Sequence, residues 1–484
     1  AERRAMEILP LHPAENATSP DALRGFLAQC RDAAERDRHD KLVSISMALP
    51  PPDPLAVLEL IFDPAQPHFY AERPSIGTAL AGAEVAVRKE SSGPQRFREL
   101  REWAEEMLAH TIAVGEVNAP LGGPHFFTAF AFREEVEAGQ PFAAASAFVP
   151  RWQVGLAGGT GTAVANLLVG PDSDLEALAL RVWRAHRRLR EVGEGGGTDV
   201  ARPAAARPAR FSLSEAGDYR NAVARALERI GRGEIGKVVL ARAIDLQADE
   251  PLHPLVALNG LRQRFPDCYS FSFSDGRGPS FIGASPERLL RVSRGVLETE
   301  ALAGSAPRGG NASEDAALAA GLARSDKDRR EHEQVLADIR ARLAPLASEL
   351  EATGAPQVRR LANVQHLLTP VRGVLRDGAH PFDVLAELHP TPAVGGAPRG
   401  AALAAIGELE GFPRGLYAGA LGWLNARRGG EFFVGLRSAL VDGRSARLYA
   451  GAGIVAGSTP EKEFAETELK FRAMLGAIGA PSAT

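Results

Sequence analysis

Apolar positions along the chain follow two different patterns. Short apolar or alternating runs predict strands, among them KLVSISMAL, KVVLARAIDL, CYSFSFSD and EFFVGLRSALV. Apolar residues at helical spacing predict helices, such as PDALRGFLAQCRDAAERD, QRFRELREWAEEMLAH and a long helix over about 325–350. Many strands with interspersed helices predict an α+β fold, with large, mainly antiparallel β-sheets packed as a sandwich and helices outside.

The clearest interruption of these patterns is the segment 191–210, EVGEGGGTDVARPAAARPAR. It is rich in Gly, Ala, Pro and Arg and has no apolar period, which predicts a linker or flexible surface loop. It divides the chain into an N-terminal portion, residues 1–190, and a C-terminal region, residues 211–478.

Composition narrows the possible partners. The 56 basic and 60 acidic residues give a net charge of −4, and no basic block stands out, so neither nucleic acid nor an anionic membrane is expected as a partner. Cys30 and Cys268 lie far apart and outside any CxxC motif, which fits a reducing compartment. We see no signal peptide and no apolar run of about 18 residues, so a cytoplasmic protein is expected.

Two acidic pairs are the strongest chemical signal. Asp328 and Glu331 lie three residues apart on one predicted helix, and Glu463 and Glu466 repeat that spacing on another. Acids at this spacing share a helix face, and two such faces together would make a carboxylate site for a hard cation such as Mg²⁺. A solvated helix face is the ordinary alternative for any one pair, but Val335 continues the first pair into an apolar stripe.

The glycines Gly451, Gly453 and Gly457 admit a competing interpretation. They are predicted to lie between a strand and a helix, as in a dinucleotide-binding turn of an NADP-dependent oxidoreductase. Only 27 residues follow Gly457, too few for the further strand–helix units of that fold. A loop that binds a carboxylate at a helix N-terminus is the other possibility.

Four single residues are further candidates. Lys237 begins the strand KVVLARAI and is either a solvated edge lysine or, if desolvated, a base. Glu287 follows a strand and is either a helix-start acid or a buried general acid. Arg437 interrupts an apolar strand, and a buried arginine needs an anion such as a substrate carboxylate. His366 fits a core position and a site position equally well.

Read in order, eight segments resemble the chorismate-utilising enzymes, a family that includes isochorismate, salicylate, anthranilate and aminodeoxychorismate synthases. The similarity spans roughly 211–478, and the N-terminal portion is similar only in outline. The segments are KVVLAR, GASPERLL, TEALAGS, SDKDRREH, VQHLLTPVRG, LHPTPAVGGAPR, GLYAGALGW and AGAGIVAGSTPEKEFAETELK.

Within that family, three residues resemble the isochorismate synthase branch. These are Lys237, Ala393 where other branches usually carry Thr, and Ala301 where they tend to carry Pro. Tyr417 and Leu436 are instead similar to residues of the pyruvate-losing relatives.

The resemblance therefore implies an isomerase that converts chorismate to isochorismate by water attack at C2 and loss of the C4 hydroxyl. It implies that Lys237 is the base and Glu287 the acid. The substrate-binding residues that it implies are Arg437, Tyr417, Gly453, Lys470, His366, Ala393 and Gly304.

The resemblance also implies Mg²⁺ as cofactor. Glu331 and Glu463 would bind it directly, and Asp328 and Glu466 directly or through water. Asp328 is shorter than the Glu that the family more often has, which favours water mediation there.

Two alternatives stay open: a salicylate synthase, which would add pyruvate elimination, and a non-catalytic chorismate-binding homologue. The segment HPTPAVGG favours menaquinone over siderophore biosynthesis. No glutamine amidotransferase motif is evident, so no amidotransferase subunit is expected, and the protein is predicted to be a monomer or weak dimer.

Overall fold

The computed structural model describes residues 6–8, 19–193, 210–352, 354–361 and 364–479. These residues form a 3₁₀ turn at Pro74–Ile76 and the following helices: α1 (Pro20–Asp37), α2 (Pro54–Ile61), α3 (Arg96–Ala109), α4 (Leu175–Gly193), α5 (Tyr219–Gly231), α6 (Pro254–Arg264), α7 (Ala312–Arg324), α8 (Asp326–Leu343), α9 (Pro381–Leu388), α10 (Arg399–Leu409) and α11 (Pro460–Ile478).

The strands that precede residue 190 are β1 (Glu7–Ile8), β2 (Lys41–Leu49), β3 (Pro67–Arg73), β4 (Thr78–Ala83), β5 (Val87–Ser91), β6 (Thr111–Gly115), β7 (His125–Phe130), β8 (Ala145–Val149), β9 (Trp152–Ala157) and β10 (Thr160–Val169). Those that follow residue 210 are β11 (Phe211–Ala216), β12 (Lys237–Ala248), β13 (Tyr269–Asp275), β14 (Ser280–Ser285), β15 (Arg288–Ser293), β16 (Val296–Pro307), β17 (Ala347–Ala352), β18 (Gln357–Arg360), β19 (Val364–Leu375), β20 (Gly396–Ala397), β21 (Ala420–Asn425), β22 (Gly430–Val434), β23 (Ser438–Asp442) and β24 (Ser445–Ile454).

The strands form two large sheets. The first has 14 strands in the order β1-β6-β2-β10-β9-β4-β3-β13-β14-β23-β24-β12-β11, with β20 against β12. The second has 10 strands in the order β17-β19-β16-β15-β22-β21-β7-β8-β5, with β18 against β19. Among the described strands only β6 pairs in parallel, with β1 and β2. The predicted α+β fold with mainly antiparallel sheets is confirmed.

Both portions of the chain contribute to both sheets. In the first sheet β3 pairs with β13, and in the second β7 pairs with β21. The N-terminal portion is therefore built into the same sheets as the C-terminal region. Of the predicted linker, residues 191–193 end helix α4, and residues 194–209 lie outside the described residues.

Alternation along the strands sorts the side chains of the first sheet into two apolar layers. Phe69 and Phe271 face the second sheet, and the Phe69 ring stacks on Phe127 of β7 with 4.5 Å between centroids. Tyr70 and Ile282 point the other way, into a cluster that includes α2, α6 and α11. This arrangement is the predicted sandwich with helices outside.

The predicted helix over 325–350 is too long. Helix α8 ends at Leu343 and is followed by β17. Pro345 gives the physical reason, because proline lacks an amide hydrogen and disfavours helical backbone at the residue before it. None of the described helices has the length and apolar content needed to cross a bilayer.

Candidate active site

One cavity, of about 130 Å³, brings together most of the predicted site residues. It lies where β12 and β24 of the first sheet approach β16 and β19 of the second, beside helices α8 and α11. Eleven predicted residues line it: Lys237, Glu287, Gly304, Glu331, His366, Ala393, Tyr417, Arg437, Gly453, Glu466 and Lys470. Asp328 and Glu463 do not line the cavity.

Lys237 is buried, not solvated as an edge lysine usually is. It begins β12 with only 4% of its surface exposed, and its Nζ donates to Oε1 of Glu331 on α8 at 2.6 Å. A lysine and a carboxylate 94 positions apart in the sequence are thus paired at the cavity wall.

Glu287 and Arg437 both lie in short connections that cross between the two sheets. Glu287 joins β14 to β15, so it does not begin a helix, and Arg437 joins β22 to β23. The two connections are tied together, because the Val434 amide donates to the Glu287 carbonyl and the Ala284 amide donates to the Arg437 carbonyl. Neither residue lies inside a strand, which corrects the prediction for Arg437.

The Glu287 carboxyl is set up to hold a proton near neutral pH. Its pKa is raised to about 8, chiefly by burial and also by the negative charge of Glu300, while Lys237 opposes the shift. A carboxyl group with such a pKa is suited to general acid catalysis.

The Arg437 guanidinium is buried with an unused donor. Only 7% of the residue is exposed, burial lowers its pKa, and among the described residues its Nη1 has no hydrogen-bond partner. Its φ of +47° is uncommon for a residue with a side chain. A buried, unpaired guanidinium facing a cavity is a ready binding group for a carboxylate.

Two tyrosines form one wall. Tyr417 stacks on Tyr449 of β24 with 5.1 Å between ring centroids and 9° between planes. A Cβ at position 451 would lie 2.6 Å from the Tyr417 hydroxyl. Only glycine at position 451 lets this hydroxyl occupy its place.

His366 and Gly304 meet on the opposite sheet. His366 Nδ1 bonds with Ser305 Oγ at 2.9 Å and with the Gly304 carbonyl at 3.3 Å. Gly304 forms a bulge in β16 with φ +78°, and a Cβ there would press against Asp328. Burial, with Arg437 and Lys470 nearby, lowers the pKa of His366 to about 3, so its imidazole is neutral.

The predicted acidic residues lie on α8 and α11, beside two lysines. Lys470 Nζ donates to Glu466 Oε1 at 2.8 Å and to the Gly451 carbonyl at 2.6 Å. Lys470 lowers the pKa of Glu466, whereas burial raises that of Glu463. Lys327, beside Asp328 on α8, also acts on both Glu463 and Glu466, which indicates that the two helices approach each other here.

These carboxylates fit a hard divalent cation by donor type, since Mg²⁺ takes oxygen ligands and keeps several waters. Within the described residues, however, no three His, Cys, Asp or Glu side chains converge closely enough to hold a metal. Glu331 and Glu466 are engaged by Lys237 and Lys470. Direct metal binding through these Oε1 atoms would therefore displace the two lysines.

The glycine-rich segment is not a dinucleotide-binding turn. Gly451 and Gly453 lie within β24, which pairs antiparallel with β12 and β23, and only Gly457 lies in the turn before α11. Gly453 instead leaves room for the catalytic candidates, because a Cβ there would come within 3.2 Å of Lys237 Cε and 3.7 Å of Glu331 Oε1.

Several lining residues were not predicted, among them Tyr449, Ser305 and Leu302. A usable signal existed for Tyr449, because alternation in RLYAGAG places it on the same face of the strand as Gly451 and Gly453. No such signal existed for Ser305, since its position at the cavity depends on the bulge at Gly304.

A larger groove of about 890 Å³ lies between α2 and α4 on the outer face of the first sheet. None of the predicted site residues lines it. The smaller cavity is therefore the candidate active site, because it combines a buried acid, two lysines and an arginine with an unused donor.

Comparison with known proteins identifies the class. The chain matches the family described as chorismate binding enzyme over residues 26–479, and it belongs to that family. It is 37% identical over 459 residues to the salicylate biosynthesis isochorismate synthase of Pseudomonas aeruginosa, covering 95% of this chain and 94% of that relative. It is 32% identical over 406 residues to isochorismate synthase MenF of Bacillus subtilis, covering 82% and 84%.

A solved structure agrees. The menaquinone-specific isochorismate synthase MenF of Escherichia coli superposes with a TM-score of 0.74 at 28% identity, covering 93% of this chain and 99% of that one. The family predicted from the ordered motifs is confirmed.

Proposed function

We propose that this protein is an isochorismate synthase, an isomerase that converts chorismate to isochorismate. The observation that carries the proposal is the convergence of Lys237, Glu287 and the unpaired Arg437 guanidinium on one cavity. The similarity to two isochorismate synthases along most of their length supports it.

Chorismate is a dianion with a ring carboxylate and an enolpyruvyl carboxylate, and the cavity offers cations for both. Arg437 and the Tyr417 hydroxyl, which line the same cavity, would bind the enolpyruvyl carboxylate. Lys470 and the backbone at Gly453 would bind the ring carboxylate. His366, Gly304 and Ala393 would shape the remaining wall.

The reaction then needs one base and one acid. A water oxygen forms a bond to C2 of the ring while its proton passes to Lys237. The double bonds shift, the C4–O bond breaks, and Glu287 protonates the departing hydroxyl, which leaves as water. One water is consumed and one is released, so the product is an isomer of the substrate.

A divalent cation, which we propose to be Mg²⁺, would offset the charge of the bound carboxylate and the acids around it. Glu331 and Glu463 would hold it directly, with Asp328 and Glu466 contributing directly or through water. To act as the base, Lys237 would have to present a neutral amine to the attacking water, so its ion pair with Glu331 would have to open. The same opening would enlarge the cavity, whose present volume is below the range of about 300–1000 Å³ usual for small-molecule sites.

We further propose that chorismate is the small-molecule partner, that no amidotransferase subunit is needed, and that the protein is a monomer or weak dimer. The free state of Cys30 and Cys268 supports a reducing, cytoplasmic location. The relatives come from both menaquinone and salicylate biosynthesis, so the pathway is not assigned.

The test is to incubate the purified protein with chorismate and Mg²⁺ and to separate the products by chromatography. Isochorismate without salicylate or pyruvate is the expected result. Salicylate with pyruvate would reassign the protein as a salicylate synthase, the alternative that Tyr417 and Leu436 favour. A Lys237→Ala variant should bind chorismate without converting it; equal inactivity of the wild-type protein would support a binding homologue instead.

A further inference from the structure

We infer that the buried ion pair between Arg414 and Glu410 is a positioning device for the active site. The inference rests on the proposed function, because the ion pair would hold three segments that carry the proposed catalytic and substrate-binding residues. Neither residue lines the cavity, so neither is a catalytic residue.

The Arg414 guanidinium joins segments that are distant in the sequence. It donates from Nη1 to the Val394 carbonyl at 2.9 Å and from Nη2 to the Val239 carbonyl at 2.7 Å. Val239 belongs to β12, two residues after the proposed base Lys237. Val394 follows Ala393, which lines the cavity from the loop between α9 and β20.

Glu410 completes the arrangement. It receives Arg414 Nε on Oε2 at 2.9 Å and the Ala241 amide on Oε1 at 2.7 Å, so it binds β12 as well. Each side chain of this i,i+4 pair is only 3% exposed. A buried pair whose hydrogen-bonding groups are used in this way fixes its neighbours, and loss of one partner leaves the other uncompensated.

The third segment is the turn that carries Tyr417. The Tyr417 amide donates to the Arg414 carbonyl at 3.0 Å, and the guanidinium carbon of Arg414 lies 5.7 Å from the Tyr417 ring centroid. On its other side the guanidinium lies 4.1 Å from the Phe132 ring centroid. Arg414 is therefore bonded to the turn that carries Tyr417, to strand β12 and to the loop that carries Ala393.

A lysine at position 414 would keep the charge but lose the planar fork that reaches two carbonyls and a carboxylate at once. We expect Arg414→Lys to remain folded and to lower kcat/KM by at least about tenfold, because small displacements of positioned groups cost rate steeply. Arg262→Lys is the matched control. Arg262 binds both oxygens of Asp53 and one oxygen of Glu72, none of these residues lines the cavity, and its substitution should leave turnover unchanged.

A double-mutant cycle with Tyr417→Phe distinguishes positioning from general loss of stability. If Arg414 acts by placing Tyr417, the loss caused by Tyr417→Phe should be at least about threefold smaller in the Arg414→Lys background. In the Arg262→Lys background, the loss of kcat/KM caused by Tyr417→Phe should be as large as in the wild-type protein, so that the effects of the two substitutions multiply. Multiplicative effects in both backgrounds would overturn the positioning role toward Tyr417.

Hydrogen exchange gives a readout that does not depend on turnover. Arg414→Lys should speed exchange in residues 237–241 and 391–397, whereas Arg262→Lys should leave exchange in these two segments unchanged. If Arg414→Lys does not fold, Glu410→Gln takes its place, since it keeps an oxygen for the Ala241 amide. Unchanged exchange in both segments would overturn the inference. A wild-type protein without turnover would instead overturn the proposed function, and the exchange result would still decide the inference.

Discussion

At the scale of single residues, burial changes the chemistry of groups that would be ordinary on a surface. Glu287 is the clearest case, because its burial raises its pKa from the usual 4.5 to about 8. As the proposed acid it must carry a proton, so we expect kcat/KM to fall as pH rises through about 8.

Glu300 provides a way to test that assignment. Its negative charge contributes to the raised pKa of Glu287, after burial itself, so Glu300→Gln should lower that pKa and move the alkaline fall in kcat/KM to lower pH. Glu298→Gln, on the same strand but more exposed, is the control. An alkaline limb that stays in place in Glu300→Gln would contradict the role of Glu287.

Gly451 makes a second residue-scale prediction. Gly451→Ala should lower kcat/KM by at least about tenfold, because the added methyl would lie 2.6 Å from the Tyr417 hydroxyl and displace it. In a Tyr417→Phe background, where the hydroxyl is gone, Gly451→Ala should cause little further loss of kcat/KM. Gly231→Ala, which meets no atom within 4 Å, is the control, and equal activity of the two alanine variants would contradict this account.

The sequence predicted residue types well and residue environments poorly. The acid, the lysine and the arginine were recognised, but the pattern left each with an ordinary alternative. The burial of each residue separates its functional interpretation from the ordinary one. Burial depends on chain segments that are far away in the sequence, so the local pattern could not reveal it. Lys237 is buried against Glu331, and Glu287 lies in a crossing between sheets that strand patterns do not reveal.

At the scale of elements, helices α8 and α11 each carry two of the predicted metal-binding acids, and on each helix one of these acids is held in an ion pair with a lysine. The cap of α11 is Thr459, whose hydroxyl accepts from the Lys462 amide. The neighbouring Ser458 instead bonds to Glu463 and opposes the rise in its pKa. The spacing of the acids could be predicted from the sequence, whereas these competing partners could not.

This arrangement predicts weak metal binding in the absence of substrate. Binding would have to gather acids that do not converge among the described residues, and two of these acids are already paired with lysines. We expect calorimetry to give at least about tenfold tighter Mg²⁺ binding with chorismate present than without it, because reciprocal coupling of about 1–3 kcal/mol is typical of linked sites.

Glu463→Gln should weaken that binding, since it removes a proposed direct ligand. Glu461→Gln is the matched control on the same helix, because Glu461 is exposed. Metal affinity that is identical with and without chorismate would contradict the coupling, and an unchanged Glu463→Gln variant would remove that residue from the proposed ligands.

At the scale of the whole molecule, the site exists because two sheets approach each other. The base comes from the first sheet, His366 from the second, and the acid and the arginine from connections between them. Fold class and family could be predicted from periodicity and ordered motifs. The strand order could not, because neighbours such as β3 and β13 are some 200 residues apart in the sequence.

The proposed reaction requires that a solvent water attack chorismate at C2 to yield isochorismate. The most direct measurement is turnover in water enriched in heavy oxygen, with mass spectrometry of the product. We expect isochorismate that carries one solvent-derived oxygen, at the C2 hydroxyl. Isochorismate without the label, or salicylate and pyruvate as the only products, would contradict it.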